Sequence, residues 1–154
     1  MLTKIKQTRI MTFGTFDGLH QGHLNFFKQA KNLSPKAGPK PFLIVSIARD
    51  KNVFKIKGEM PRLRESARML LVKKCKLVDK VVLSGTKNYL PHVIKEKPSI
   101  IALGYDQKAY VANLKKDFKN KSLVGFSTKI VRLKPYKEKI FKNHLLKKKS
   151  VGKK

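Results

Sequence analysis

The sequence contains a single cysteine, Cys75, so no disulfide can close within the chain, and a cytoplasmic location is the simplest expectation. It contains no apolar run of about 18 residues, which excludes a membrane-spanning helix. The apolar stretch near its start is only strand-length and is not laid out as a signal peptide. Acids are scarce as well: nine Asp and Glu stand against 37 Lys and Arg, a formal net charge of +28. A field this positive attracts polyanions and raises their encounter rate. Nucleoside triphosphate and nucleic acid are both candidate partners on that ground. The plainer reading is a solvated lysine-rich surface, since the lysines are spread along the whole chain. With so few acids, each one carries information. Asp17, Asp50 and Asp106 all follow short apolar runs, at the strand ends where open α/β sheets hold their ligands.

What is present is a foldable chain. Its 154 residues favour one domain, and a hydrophobic content of 41% supports a packed core. Residues 9–13 (RIMTF), 41–48 (PFLIVSIA), 79–83 (DKVVL), 99–103 (SIIAL) and 127–133 read as strands, the second being a continuous apolar run of the kind buried in a parallel sheet. Residues 22–33 carry Leu24, Phe27, Ala30 and Leu33 at helical spacing, and residues 62–74, 90–96, 108–119 and 140–149 also read as helices. Residues 34–40 (SPKAGPK) are a Pro/Gly loop and residues 50–61 a basic, irregular stretch. Strands alternating with helices predict right-handed βαβ units. The expected architecture is a single α/β domain, Rossmann-like, with a five-stranded, mostly parallel sheet and helices on both faces. It should occupy residues 1–146, with residues 147–154 a basic, mobile tail.

The chemistry concentrates in residues 14–23, GTFDGLHQGH, between the first strand and the first helix. Gly14 permits close backbone approach to a ligand. His20 and His23 stand three positions apart, on one face of a helix start. A helix N-terminus offers N–H groups to phosphate. Two imidazoles beside those donors suit a triphosphate, with Gly22 between them keeping space for it. Alone, two histidines at this spacing would more often be a metal pair or incidental; the surrounding GTFDxxHxGH pattern makes the phosphate reading specific.

On these residues the chain resembles the cytidylyltransferase-like nucleotidyltransferases, which share an HxGH motif. That group includes glycerol-3-phosphate cytidylyltransferase, pantetheine-phosphate adenylyltransferase and the archaeal-type FAD synthetases. The resemblance runs from about Arg9 to Tyr136. IARD (residues 47–50), KIKG (55–58), Arg68 with VDKVVL (78–83), LGYDQ (103–107) and RLKPYK (132–137) are similar to the archaeal FAD synthetase subgroup, LGYDQ most distinctively.

The resemblance implies transfer of a nucleotidyl group from a nucleoside triphosphate to a phosphorylated acceptor, with AMP passing from ATP to FMN as the favoured case. It implies His20, His23 and Lys57 as catalytic residues. Phe13, Gly14, Thr15, Phe16, Gly22, Arg68, Gly104, Tyr105, Asp106 and Asn143 would join the two histidines around the nucleotide. Asp17, Asp50 and Lys55 would serve the acceptor. Magnesium would bridge phosphate oxygens, and a homodimer is the implied assembly. The pattern departs near its end: where relatives carry a Ser/Thr-rich helix start, this chain has FKNHLLK, with Asn143 and His144 in those places. Asn143 can still cap a helix.

Three further readings complete the expectation. Cytidylyl transfer to a polyol phosphate such as glycerol 3-phosphate is the alternative within the class. A nucleic-acid-binding protein on a degenerate nucleotidyltransferase fold is the alternative outside it, motivated by the charge and the altered FKNHLLK. Against the latter, the sequence shows no recognised RNA- or DNA-binding motif. Among single residues, His92 reads as a surface or packing residue and Cys75 as an inert thiol, while Tyr105 and Tyr110 suit either a stacked base or the core.

Overall fold

A computed structural model describes residues 6–86, 90–105, 107 and 128–135. Among them, five strands form one sheet: β1 (Arg9–Gly14), β2 (Phe42–Ile47), β3 (Lys80–Leu83), β4 (Ile100–Leu103) and β5 (Lys129–Arg132). The helices between them are α1 (Gln21–Lys31), α2 (Asp50–Lys57), α3 (Glu65–Lys73) and α4 (Leu90–Glu96). The spatial order is β3-β2-β1-β4-β5, and every pairing is parallel. The expected α/β sheet is therefore present, and it is wholly rather than mostly parallel.

The period-2 geometry of a strand explains the apolar runs. Ile10, Leu43, Val45, Ile47 and Ala102 face one layer, where they pack with Phe27 and Ala30 of α1 and Val72 of α3. Met11, Phe13, Ile44, Ile101 and Leu103 face the other, against Val93 of α4. Helices thus cover both faces, so a central strand such as FLIVSI has no polar side to show.

Two expected boundaries move, each for a local reason. The stretch from Asp50 is not irregular: it forms α2, whose Val53 is buried and whose end is set by Gly58 in the left-handed region at φ 78°. Its basic residues hid this helix, since Lys55 and Lys57 ride its last turn in solvent. The third helix starts at Glu65 rather than Arg62, because Arg64 is extended (φ −65°, ψ 156°) and serves as the N-cap, while the Arg62 and Leu63 N–H groups before it bond the Asp17 carboxylate at 2.6 and 2.7 Å. The helices expected over residues 108–119 and 140–149 lie outside the described residues.

The sheet order decides where a ligand can sit. From β1 the chain builds outward through β2 and β3 on one side, then returns to build β4 and β5 on the other. The connections leaving β1 and β4 therefore diverge, and a crevice opens at their carboxyl ends. The ladders record it: β1 stays paired with β2 as far as Gly14↔Ile47, but with β4 only to Thr12↔Ala102.

Phe27 ties this crevice to the core, being fully buried with its ring 5.5 Å from that of Phe16. Phe27→Ala should destabilise the domain by about 3–5 kcal/mol, measured as a lowered urea midpoint at unchanged slope.

Candidate active site

Gly14 ends β1, and the chain turns sharply. Phe16 adopts φ 53°, a left-handed value unusual for a side chain of its size. The turn sends its ring back beneath Gly14. A Cβ at position 14 would stand 2.6 Å from Phe16 Cε2 and 2.7 Å from Cζ. The glycine is thus required by the protein's own packing, a reason that the sequence reading of ligand approach did not contain. Beyond it, Asp17 points inward at the Arg62–Leu63 backbone, and the Asp17 carbonyl accepts from Arg62 Nη2 at 3.3 Å.

His20 and His23 come together at the start of α1. His20 is the N-cap, with extended backbone (φ −135°), and its Nδ1 accepts the Gly22 N–H at 3.0 Å. His23 Nδ1 in turn accepts the His20 N–H at 3.3 Å. This is a capping box made of two imidazoles in place of the usual Ser and Glu. The rings stack, 3.9 Å between centroids, and the Phe16 ring meets His23 edge-on at 5.3 Å. A ring nitrogen that accepts a hydrogen bond carries no proton, so the neutral tautomer of each ring holds its hydrogen on Nε2.

Burial reinforces that neutrality. It lowers the pKa of His20, and it lowers His23 from 6.5 to about 4, with repulsion from His20 adding to the effect. The two histidines are hydrogen-bond donors at neutral pH, not cations. With no acid in the first turn of α1, its N-terminus keeps the partial positive charge of the helix dipole. Neutral donors and peptide N–H groups at one point form an anion site of moderate, directional strength.

Behind the turn lies a buried charge network. Arg68 of α3 is fully buried and spends its guanidinium on three acceptors: Thr15 O at 2.8 Å, Leu63 O at 3.0 Å and Asp50 Oδ1 at 2.6 Å. Desolvation pushes the Asp50 pKa upward. Hydrogen bonds from Arg68 and the Glu65 N–H, with the charges of Arg68 and Arg64, outweigh it and leave the group lowered. Asp50 Oδ2 accepts the Glu65 N–H at 3.2 Å, and Glu65 Oε1 accepts the Asp50 N–H at 3.0 Å. Each acid caps the other's helix. Glu65, which the sequence reading did not single out, is the partner that makes this exchange possible.

The other wall of the crevice is the turn after β4. Gly104 and Tyr105 lie there; Asp106 and Asn143 fall outside the described residues, as do Tyr110 and His144. Gln107 spans from this turn to β1, and Arg132 supports it from β5. Neither had been assigned a role from sequence. His92 is a packing residue, with Nε2 2.8 Å from Ser46 Oγ and its ring edge-on to Phe13 at 6.0 Å. Cys75 is half-buried against the core.

Magnesium was expected, and the described residues offer no resident cage for it. No group of three His, Cys, Asp or Glu among them is placed to hold a metal. Asp17 and Asp50 are engaged by backbone N–H groups and by Arg68. These residues do not fit a protein-held cation. A magnesium ion complexed by the triphosphate would belong to the substrate.

A strand-to-helix turn at a topological switch point, ending in paired imidazoles over a helix N-terminus, defines a nucleotide-binding α/β domain. The chain belongs to the cytidylyltransferase-like family, whose model matches residues 11–146. It is similar to the FAD synthase of Korarchaeum cryptofilum, 43% identical over 81% of this chain and 80% of that protein. It is similar also to the FAD synthase of Thermoplasma acidophilum, 33% identical over 92% of both chains. Among solved structures it resembles the lipopolysaccharide core biosynthesis protein from Thermoplasma volcanium. That match has a TM-score of 0.72 and 35% identity, covering 85% of this chain and 99% of that one. Among the described residues no helix is long and apolar enough to cross a membrane.

Two outcomes test the geometry. Gly14→Ala should cost about 1–3 kcal/mol by overpacking, and the penalty should shrink in a Phe16→Leu background, which removes the ring atoms in the way; a urea double-mutant cycle measures it.

The second concerns pH. His23 titrates at about 4 when folded and near 6.5 when unfolded, so between those values the unfolded chain binds the additional proton. Stability from this group is complete above pH 6.5 and declines as pH falls toward 4, by a total on the order of 3 kcal/mol. His23→Gln keeps a side chain able to reach the N-cap N–H and should flatten that decline in denaturation curves taken across the window.

Proposed function

We propose that this protein is an adenylyltransferase that moves AMP from ATP to FMN, forming FAD and releasing pyrophosphate. The observation that carries this reading is the pair of neutral imidazoles at the N-terminus of α1, protons on Nε2, beside the crevice at the ends of β1 and β4. The FAD synthase names of the relatives support the choice of substrates.

An FMN phosphate oxygen attacks the α-phosphorus of ATP. The bond from that phosphorus to the oxygen bridging to the β-phosphate breaks, and pyrophosphate leaves with the electron pair. No covalent enzyme intermediate is involved, so catalysis is positioning and electrostatic stabilisation. His20 and His23 donate through Nε2 to phosphate oxygens as charge shifts onto the leaving group. The backbone of Gly14, Thr15 and Phe16 forms the floor beneath them, with Phe13 before it and Gly22 keeping room at the helix start.

Arg68 acts on this floor through Thr15 O rather than on the phosphates, and Asp50 holds Arg68 in place. Asp17 acts likewise, by fixing the 62–63 segment against the turn. Lys57 and Lys55, exposed on the last turn of α2, are the cations assigned to the leaving group and the acceptor phosphate. Gly104 and Tyr105 border the nucleoside, and the family resemblance assigns Asp106 and Asn143 to the nucleotide as well. Magnesium accompanies ATP as its counter-ion. The working assembly is a homodimer.

Incubation with ATP, FMN and magnesium should produce FAD and an equimolar amount of pyrophosphate. His20→Ala and His23→Ala should each lower kcat about 10²–10³-fold. Pyrophosphate appearing only from CTP with glycerol 3-phosphate would replace this reading with polyol-phosphate cytidylylation.

A further inference from the structure

The sheet does not close at its switch point. Beyond Thr12↔Ala102, β1 and β4 make no further ladder pairs, although β1 continues to Gly14 and β4 to Leu103. One side chain crosses the gap. Gln107 Nε2 donates to Phe13 O at 2.9 Å, and Gln107 Oε1 accepts from Gly104 N at 2.7 Å. The carboxamide has the donor and acceptor pattern of a peptide unit, and here it stands in for the missing rung. Its own backbone is folded back, with Gln107 N donating to Gly104 O at 3.2 Å.

The turn is then fastened from outside. Arg132, at the end of β5, donates through Nη1 to Gly104 O at 2.8 Å and Tyr105 O at 3.1 Å, and through Nη2 to Gln107 O at 3.2 Å. The three carbonyls are gathered by one planar fork, whose fixed geometry a lysine does not reproduce. Each contact is to backbone, so the device sets geometry rather than charge.

Its location gives the device a function. The β1 wall of the crevice carries the imidazole pair, which takes polyphosphate. A nucleotide anchored there by its phosphates has the β4 turn as the facing wall, and the distance between the walls decides how its nucleoside part seats. We propose that Gln107 is a positioning residue for the nucleoside of the bound triphosphate, with Arg132 holding it in register. The inference rests on the triphosphate reading of the histidine site and adds to it the residue that sets the opposite wall. Gln107 is not a catalytic residue, because it acts through Phe13 O and Gly104 N.

The discriminating experiment compares ATP with inorganic tripolyphosphate as ligands of the full chain, each with magnesium, by calorimetry. Tripolyphosphate needs only the β1 wall, whereas ATP needs both. Gln107→Met keeps length and bulk but can make neither hydrogen bond. Gln107→Glu can still accept from Gly104 N, yet it presents an acceptor to Phe13 O. Both variants should weaken ATP about tenfold, Gln107→Met by losing both hydrogen bonds and Gln107→Glu by losing the one to Phe13 O and setting two acceptors against each other, with tripolyphosphate changed less than about twofold. Arg132→Lys should shift ATP in the same direction. In turnover, the KM for ATP should rise while the KM for FMN holds.

Equal weakening of both ligands would mean that Gln107 only supports the domain, and unchanged binding of both would mean that the bridge is idle; either result overturns the proposal. A wild-type protein that binds ATP but makes no FAD would refute the FAD reading and leave the Gln107 comparison standing. A wild-type protein that binds neither ligand would overturn both.

Discussion

A guanidinium buried beneath the turn after β1 holds the active region together. Arg68 has no access to solvent, and burying a charge is costly unless it is paired and fully hydrogen-bonded. Here the Asp50 carboxylate neutralises it, and two carbonyls from separate loops, Thr15 and Leu63, accept from its other two nitrogens. Removing any one acceptor would leave a buried donor unmet, so the network favours a single arrangement of three chain segments. It fixes the turn after β1 relative to α3 and, through the exchanged caps of Asp50 and Glu65, relative to α2.

That rigidity matters because the groups facing the ligand are individually modest. Neutral imidazoles and peptide N–H groups bind phosphate more weakly than a cation does, but more directionally than a lysine ammonium. A chain with a net charge of +28 has no shortage of cations to attract a triphosphate. Attraction brings it near by a field that acts at long range; orientation for in-line displacement needs donors that do not move. The Nδ1 atoms of His20 and His23 are occupied by backbone N–H groups, which fixes both the tautomer and the ring orientation. The histidines thus belong to the helix cap and, on the proposed function, to the phosphate site as well; burial lowers both pKa values, with repulsion from His20 adding to the effect at His23.

The sequence disclosed what faces outward more readily than what acts inward. Apolar runs located the five strands to within a few residues; β1, β2 and β4, buried on both faces, leave the continuous signature, while β3 and β5 at the sheet edges are more exposed. The GTFDGLHQGH segment showed the imidazole pair, because the whole pattern after a strand, not the two histidines alone, is specific. Helix α2 was missed, since only Val53 of it is buried and its remaining residues carry no stripe to read. The inward work of Asp17, Asp50 and Arg68 was not legible either. Their targets are backbone N–H and C=O groups, which every residue possesses, so no spacing of side-chain types betrays them.

The same point explains why Gln107 sat in plain view within LGYDQ without a role. A glutamine is an ordinary polar residue until the topology places it at a strand gap, and the gap exists only because β4 returns on the opposite side of β1. Two side chains thus shape the crevice from its two walls by similar means. Arg68 grips a carbonyl beneath the β1 turn, and Gln107 joins a carbonyl of β1 to an amide of the β4 turn. Both leave the ligand-facing surface to backbone and imidazole. On the proposed assignment, a change in the β4 turn would reshape the nucleoside wall while leaving the Arg68 contacts beneath the β1 turn in place, since Gln107 reaches β1 at Phe13 and Arg68 grips it at Thr15.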